Sequence, residues 1–376
     1  MSIKILPYSA EHEEAVQAFN ARLAAANPDP NLYSSQFPSF HVSKWLPKRP
    51  GCDLYQEFFV AIDDTSAVRG GYILKHQTFL WRGEPIELVA YQLPISEGII
   101  NRDFMNIGLL LYKDALCRRP YLWDLGGGDP HLPMPKFLRA AKWQRQLVPF
   151  WFRVVHPNAF LRNIAFLKTS LARRIALSLL KYSGLGWLGI KTLYGMRGKR
   201  RRADCVTCET VAEFSDWADD VWKDSKNDYS LIAVRDREIL NVLYPATASR
   251  FIRLKITRNK TIIGWVVLLN TPMSGHKQFG DMRVGTLVDC LARPADASDV
   301  VACARDVLES GSADLIISNQ CSQAWCQALR ECGFFEGPSN LPFLASPKLA
   351  AQLQPLQENA ATFHINRGDG DGPIHL

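Results

Sequence analysis

The chain has 376 residues, room for two domains of ordinary size, and its 47% apolar and 22% charged residues are globular values, which exclude a disordered or fibrous chain. No run of about 18 apolar residues without charge occurs, and the start MSIKILPYSAEHEEAV has no apolar core or cleavage site, so neither a membrane span nor a signal peptide is expected. The net charge of +7 is local: residues 160–203 hold 11 of the 44 Lys and Arg and none of the 37 Asp and Glu, which argues against a nucleic-acid-binding character for the whole chain. Nine cysteines, an odd number without a regular framework, fit a reduced cytoplasm better than a disulfide scaffold.

In chain order, Ser2–Leu6 alternates and predicts a first strand. Glu11–Ala26 predicts an amphipathic helix with Val16, Phe19 and Leu23 on one face, stopped by Asn27-Pro28-Asp29-Pro30. The loop Asn31–Pro50 carries Tyr33, Phe37, Phe40, His41 and Trp45, and either lines a substrate cleft or is pinned to the core by these rings. Glu57–Ile62 and Gly71–Trp81 predict two strands about a turn at Asp63-Asp64. Arg82-Gly83-Glu84-Pro85 then turns into Ile86–Ile95, an apolar run short enough for a buried strand. The loop Gly98–Gly108 opens a helix, Met105–Cys117, with an expected apolar stripe at Leu109, Tyr112 and Leu116. Tyr121–Leu125 predicts a second short strand, which Gly126-Gly127-Gly128 ends; a further helix follows, then a strand over Arg145–Val155. A strand that turns through a loop onto a helix leaves free backbone N–H groups and the positive end of the helix dipole at one point, a place suited to a phosphate.

The stretch from Ile86 to Trp151 resembles the acyl-CoA-binding half of the GNAT family of N-acetyltransferases, in which a strand ends in a Gln/Arg-x-x-Gly-x-Gly/Ala loop whose amides cradle the CoA pyrophosphate. Aligned on Gly108, that loop here is Asp103-Phe104-Met105-Asn106-Ile107-Gly108. Gly108 matches. Asn106 stands for a glycine and tolerates left-handed torsions. Asp103 stands for Gln or Arg and sets a carboxylate near phosphate unless it caps the helix instead. Lys142-Trp143 closes the second helix where the family often has Gly-Phe. The resemblance implies that the thioester lies between Ile86–Gly98 and Tyr121–Gly126. Ser96, Gly98, Asp103, Asn106, Ile107, Gly108 and Gly126 are the implied cofactor-binding residues.

Acyl transfer to an amine needs a base for the ammonium proton and a donor for the oxyanion. The candidates are Glu97 and Glu87 on or beside the first strand, Asp124 at the end of the second, and His131 after the glycines. For each, the structural alternative is a solvated strand-end carboxylate, an Asx turn into Gly126, or a bystander imidazole.

Phe160–Tyr182 predicts a strong amphipathic helix, and GLGWLGIKTLYGMRGKRRR follows it. This basic segment either packs between two halves or lies on an anionic membrane surface. Ala212–Lys223 and Tyr229–Leu240 predict helices; Phe251–Thr257 and Thr261–Asn270 a hairpin; Asp281–Leu291 a strand; Ala297–Ser310 a helix; Asp314–Ser318 a strand; Ser322–Cys332 a helix ending in Gly333-Phe334. The order repeats that of the first half, and the ending LRECGFF resembles the family's closing helix. CLARPADASDVV follows Asp289 in place of a pyrophosphate loop, so the second copy is expected to lack a CoA site. Cys205-Val206-Thr207-Cys208 has no second pair at zinc spacing, so no metal site is expected. Neither GxSxG nor a P-loop occurs.

The expectation is an α/β protein with mixed α+β sheets, made of two tandem GNAT-like domains: 1–156, a linker 157–204, 205–366, and a partly mobile tail 367–376. The implied function is transfer of an acyl group, acetyl first among them, from acyl-CoA to a primary amine. An amino sugar or other cell-envelope precursor is the preferred acceptor, in the cytoplasm or at the inner face of the membrane. Two alternatives stay open: a peptidoglycan-bridge (Fem-type) aminoacyltransferase using aminoacyl-tRNA, and a non-catalytic binding protein. The oligomeric state is not readable.

Overall fold

A computed structural model describes residues 2–26, 36–40, 46–126, 133–163, 202–276 and 278–370. Several sequence expectations fall outside these: Tyr33, His41, Trp45, Gly127, Gly128, His131, and residues 164–201 of the basic segment. The chain gathers into two compact units. One is Met1–Phe79 with Pro85–Arg145 and Phe343–Gln354; the other is Leu80–Glu84 with Gln146–Pro342 and Pro355–Leu376.

The elements run β1 (Ile3–Pro7), α1 (Glu13–Ala25), β2 (Tyr55–Asp63), β3 (Val68–Trp81), β4 (Glu84–Ser96), α2 (Ile107–Arg118), β5 (Leu122–Leu125), α3 (Pro133–Ala140), β6 (Gln144–Leu147), β7 (Phe150–Val154), α4 (Pro157–Asn163) and β8 (Val206–Val211). They continue with α5 (Asp216–Ser225), β9 (Leu231–Ala233), α6 (Arg237–Leu243), β10 (Ile252–Arg258), β11 (Thr261–Pro272), β12 (Arg283–Ala292), α7 (Ala297–Ser310), β13 (Leu315–Asn319), α8 (Gln323–Glu331), β14 (Phe335–Gly337), β15 (Pro342–Ala345), α9 (Pro347–Gln352), α10 (Leu356–Asn359) and β16 (Phe363–His364).

In the first unit the sheet order is β1-β2-β3-β4-β5-β15. The strands alternate sides, so one sequence feeds two cores. Phe58, Val60 and Ile73 meet Val16, Phe19 and Leu23 of α1. Phe59, Ala61, Tyr72, Leu74, Val89 and Tyr91 meet Leu111, Tyr112 and Ala115 of α2 with Leu138 of α3. Phe37 is sealed in the α1 core, as the pinned-loop reading expects. The buried stripe of α2 is Ile107, Leu111, Tyr112 and Ala115. Leu109, expected inside, is exposed, because the i, i+4, i+8 series from Ile107 sets the face.

In the second unit the order is β14-β7-β13-β12-β11-β10-β8. Trp265 of β11 packs edge-on to Phe214 beside α5, while the next residue back, Gly264, faces Val300 of α7. Helices therefore cover both faces of this sheet too. Each sheet contains a single parallel pair between sequence neighbours, β4 with β5 and β12 with β13.

Three expectations are corrected. Arg145–Val155 is not one strand closing the first half: β6 and β7 are separate, and β7 pairs with β13 and β14 in the second sheet. The matching place beside β5 is taken by β15, from the far end of the chain. The boundary expected at 156 therefore does not divide the two units. Tyr229–Leu240 is not one helix. Leu231–Ala233 is a buried strand, and Asp236 starts α6 by accepting a bond from the N–H of Ile239. Of the expected tail, Arg367 is half-buried and Gly368, Asp369 and Gly370 are buried, because Asn366 and Asp369 cap each other's backbone in a tight turn; residues 371–376 lie outside the described residues. Among the described residues, no helix is long and apolar enough to cross a membrane.

Candidate active site

β4 and β5 pair only at Val89 with Leu122 and Ala90 with Trp123. Beyond that point β4 kinks: Leu93 has a φ of +47°, and Pro94 follows it. A leucine in the left-handed region costs about 1–2 kcal/mol, so its surroundings must hold it there. Proline has no N–H for a sheet ladder and marks such a break in a strand. The β4–β5 ladder thus ends before the kink, on the carboxyl side of the strands, the end where open sheets take ligands.

The chain leaves β4 at Ser96 and makes a 3-10 turn, Glu97–Ile99. Glu97 is buried and accepts from Arg22 of α1 through Nε at 3.0 Å and Nη2 at 3.1 Å, and from Arg69 of β3 through Nη1 at 3.0 and 3.1 Å. Both oxygens of this carboxylate are taken up by guanidinium groups, so the place expected for a base holds an anchor for the loop. Gly98 closes the turn: a Cβ there would stand 2.6 Å from the Phe104 carbonyl oxygen. A second 3-10 turn, Arg102–Phe104, is capped by Asn101, whose Oδ1 accepts the N–H of Asp103 at 3.0 Å. Phe104 is buried beneath the Arg69 guanidinium, 4.4 Å from its ring centre.

Asn106 is the N-cap of α2, with φ −75° and ψ −14°. The left-handed torsion expected there is absent, because the chain enters the helix already in right-handed geometry. Asp103 does not cap α2 either; it sits exposed in the 3-10 turn, next to exposed Arg102. The first turn of α2 has no acidic residue and Asn106 makes no side-chain cap bond, so the N–H groups of Ile107, Gly108 and Leu109 are left for another acceptor. The equivalent helix start in the second unit carries acids of its own. There Asp296 and Asp299 stand at the N-terminus of α7, and Arg258 bonds them at 2.7 and 3.1 Å.

The remaining expected residues scatter. Glu87 lies at the opposite end of β4 from the kink and bonds His76 Nδ1 at 2.9 Å. Glu57 takes His76 Nε2 at 2.8 Å, and that bond holds the Glu57 carboxyl below the usual range. His76 is sealed against Tyr55, stacked at 4.3 Å. Asp124 is half-buried on β5, just past the last residue paired with β4 and opposite Leu344 of β15. Gly126 has φ +116°, a torsion open to glycine alone among ordinary residues. Ser96 and Gly108 approach each other across the loop: a Cβ on Gly108 would meet Ser96 Oγ at 3.6 Å. The sequence reading missed the Leu93 kink, for which Pro94 inside a strand was the available signal. It also missed the Arg22 and Arg69 clamp, which has no local signal.

No family model matches the sequence, and no curated protein sequence does. Solved structures do. A GCN5-related N-acetyltransferase from Anabaena variabilis superposes with a TM-score of 0.54 at 10% identity, over 91% of this chain and 72% of that one. N-myristoyltransferase from Saccharomyces cerevisiae, solved with bound myristoyl-CoA, gives 0.51 at 9% identity, over 92% and 82%. The chain has the GNAT fold. A probable N-acyltransferase of unknown function from Enterococcus faecalis gives 0.51 at 8% identity, over 92% of this chain and 72% of that one. At such identities the likeness is one of fold. Within the GNAT fold, the Ser96–Gly108 loop joins the kinked strand to a helix start without acids, and its counterpart in the second unit carries acids tied to Arg258.

Proposed function

We propose that the protein is an acyl-CoA-dependent N-acyltransferase whose first unit binds the acyl-CoA. The observation that supports this reading best is the short β4–β5 parallel pair, with a kink in β4 at Leu93 and then a helix start without an acid of its own. In this reading the N–H groups of Ile107, Gly108 and Leu109, which follow the N-cap Asn106, cradle the CoA diphosphate, with Arg102 adding positive charge beside them. Asp103 shapes the loop through Asn101 rather than touching phosphate. The backbone of Ser96 and Gly98 pairs with the pantetheine, and Gly126 lets β5 end close to the thioester.

The amine nitrogen attacks the thioester carbonyl carbon, the C–S bond breaks, CoA leaves as the thiol, and a base takes the ammonium proton. Of the four candidates, Asp124 is the carboxylate beside the strand opening. Glu97 serves as the loop's anchor and Glu87 as a partner of His76. For the acceptor we favour an amino sugar or similar cell-envelope precursor, supported by the basic segment 160–202 as a feature suited to an anionic surface.

Calorimetric titration with acetyl-CoA, longer acyl-CoAs and free CoA tests this. Saturable binding with a negative heat-capacity change is expected, and the preferred chain names the donor. Asp124→Asn is expected to keep that affinity and lower turnover about 100-fold. No binding at millimolar ligand overturns the reading.

A further inference from the structure

The second unit repeats the parallel pair, but a piece of its own chain lies at the opening. β12 and β13 pair as far as Leu287 and Ser318. Beyond them Asn366 bonds Asp289 through Nδ2 at 2.8 Å on one side and bridges Gln320 on the other. The N–H of Cys321 bonds the Ile365 carbonyl at 2.9 Å. The charged groups brought in with this segment are neutralised with one exception. Arg235 meets Asp289 at 3.0 Å and Asp369 at 2.6 Å, and Tyr244 adds a bond to Asp289 at 2.9 Å.

The exception is Arg367. Its Nη2 donates to Asn319 Oδ1 at 3.0 Å, and its Nε is buried with no hydrogen-bond partner. No carboxylate among the described residues pairs with it; Asp369, two positions on, is committed to Arg235 and to the N–H of Asn366 at 2.9 Å. The comparison within the same unit is direct. Buried Arg153 has Glu309 at 2.7 Å. Arg253, also without an acid, has the carbonyls of Tyr244, Pro245, Ala248 and Phe251. Arg367 has one neutral amide oxygen. Burial pulls its pKa down to about 10 with no acid to offset it, yet it stays charged at pH 7. Arg367 is half-buried, and a guanidinium whose Nε is sealed without a counter-charge is destabilising unless an anion completes it.

We propose that Arg367, with Asn319 beside it, anchors a binding site for a small oxyanion, a carboxylate or a phosphate, at the carboxyl end of β13. The planar fork of guanidinium N–H groups matches the oxygen pair of either group. The site does not depend on acyl-CoA binding in the first unit.

The test is thermal unfolding of the full chain in sodium phosphate or sodium malonate, each against sodium chloride at matched ionic strength. The wild type gains about 5 °C in Tm at an anion concentration a hundredfold above Kd, and the stronger of the two anions names the class. Arg367→Met removes that gain and, without anion, melts no lower than the wild type, because the uncompensated charge is gone. Arg367→Lys keeps part of the gain. Gly108→Glu, which blocks the cradle proposed in the first unit, keeps all of it. The proposal is overturned by a wild type that gains nothing over chloride. It is equally overturned by an Arg367→Met protein that keeps the gain or melts well below the wild type without anion.

Discussion

His364 shows what a single buried side chain does to stability. It lies at 1% exposure, with its ring edge-on to Tyr229 at 4.7 Å, and both ring nitrogens are without hydrogen-bond partners. Burial, with Arg235 nearby, holds its pKa down to about 3, so the native protein carries it neutral. The unfolded chain protonates it near pH 6.5. Its contribution is therefore complete above that pH and is lost as pH falls toward 3, at about 1.4 kcal/mol per pH unit. In urea unfolding across pH 7 to 4, His364→Phe is expected to flatten this acid limb. An unchanged slope would place the acid sensitivity elsewhere.

At the level of elements, the two units differ in how the first turn of one helix is completed. α7 begins on Asp296 and Asp299 tied to Arg258, so its dipole is already answered. α2 begins on Asn106 with no acid and with exposed backbone, held in place from below by Phe104, Ile107 and the Glu97 clamp. A side chain at Gly108 has room, since its Cβ meets only Ser96 Oγ at ordinary contact distance. Gly108→Glu therefore keeps the fold, and an acid in the first turn suits the helix dipole. It also sets bulk and negative charge where the diphosphate is proposed to bind. Acyl-CoA affinity by calorimetry is expected to fall at least 100-fold with Tm nearly unchanged; retained affinity would move the cradle away from α2.

Across the whole molecule the two halves of the sequence are not the two units. β7 from the first half completes the second sheet, and β15 from the second half completes the first. The β5–β15 pair is supported by Ser346, whose Oγ accepts the N–H of Leu122 at 3.1 Å. A fragment ending at residue 203 therefore lacks a strand of its own sheet, and the remaining fragment lacks another. Each expressed alone is expected to give no cooperative thermal transition, whereas co-expression restores a folded complex by circular dichroism. A fragment that folds alone would show that the exchanged strand is dispensable.

The sequence by itself determined what local periodicity controls. Period 2 marked the strand pairs, period 3.6 marked α7 at Ala297–Ser310, and their order, twice repeated, marked a mixed α/β architecture in tandem. Glycine at position 98 and the helix start near Gly108 were legible for the same reason. Only the tertiary structure decided what depends on partners far along the chain. Glu97 meets Arg22 and Arg69 across 75 and 28 residues, which turns a candidate base into an anchor. Asn366 meets Asp289 across 77 residues, which holds the start of a polar, Gly-rich tail, Gly368–Gly370, in a buried turn. Burial cost for polar groups is cancelled only by such distant hydrogen bonds and counter-charges, and no local pattern in the sequence announces them.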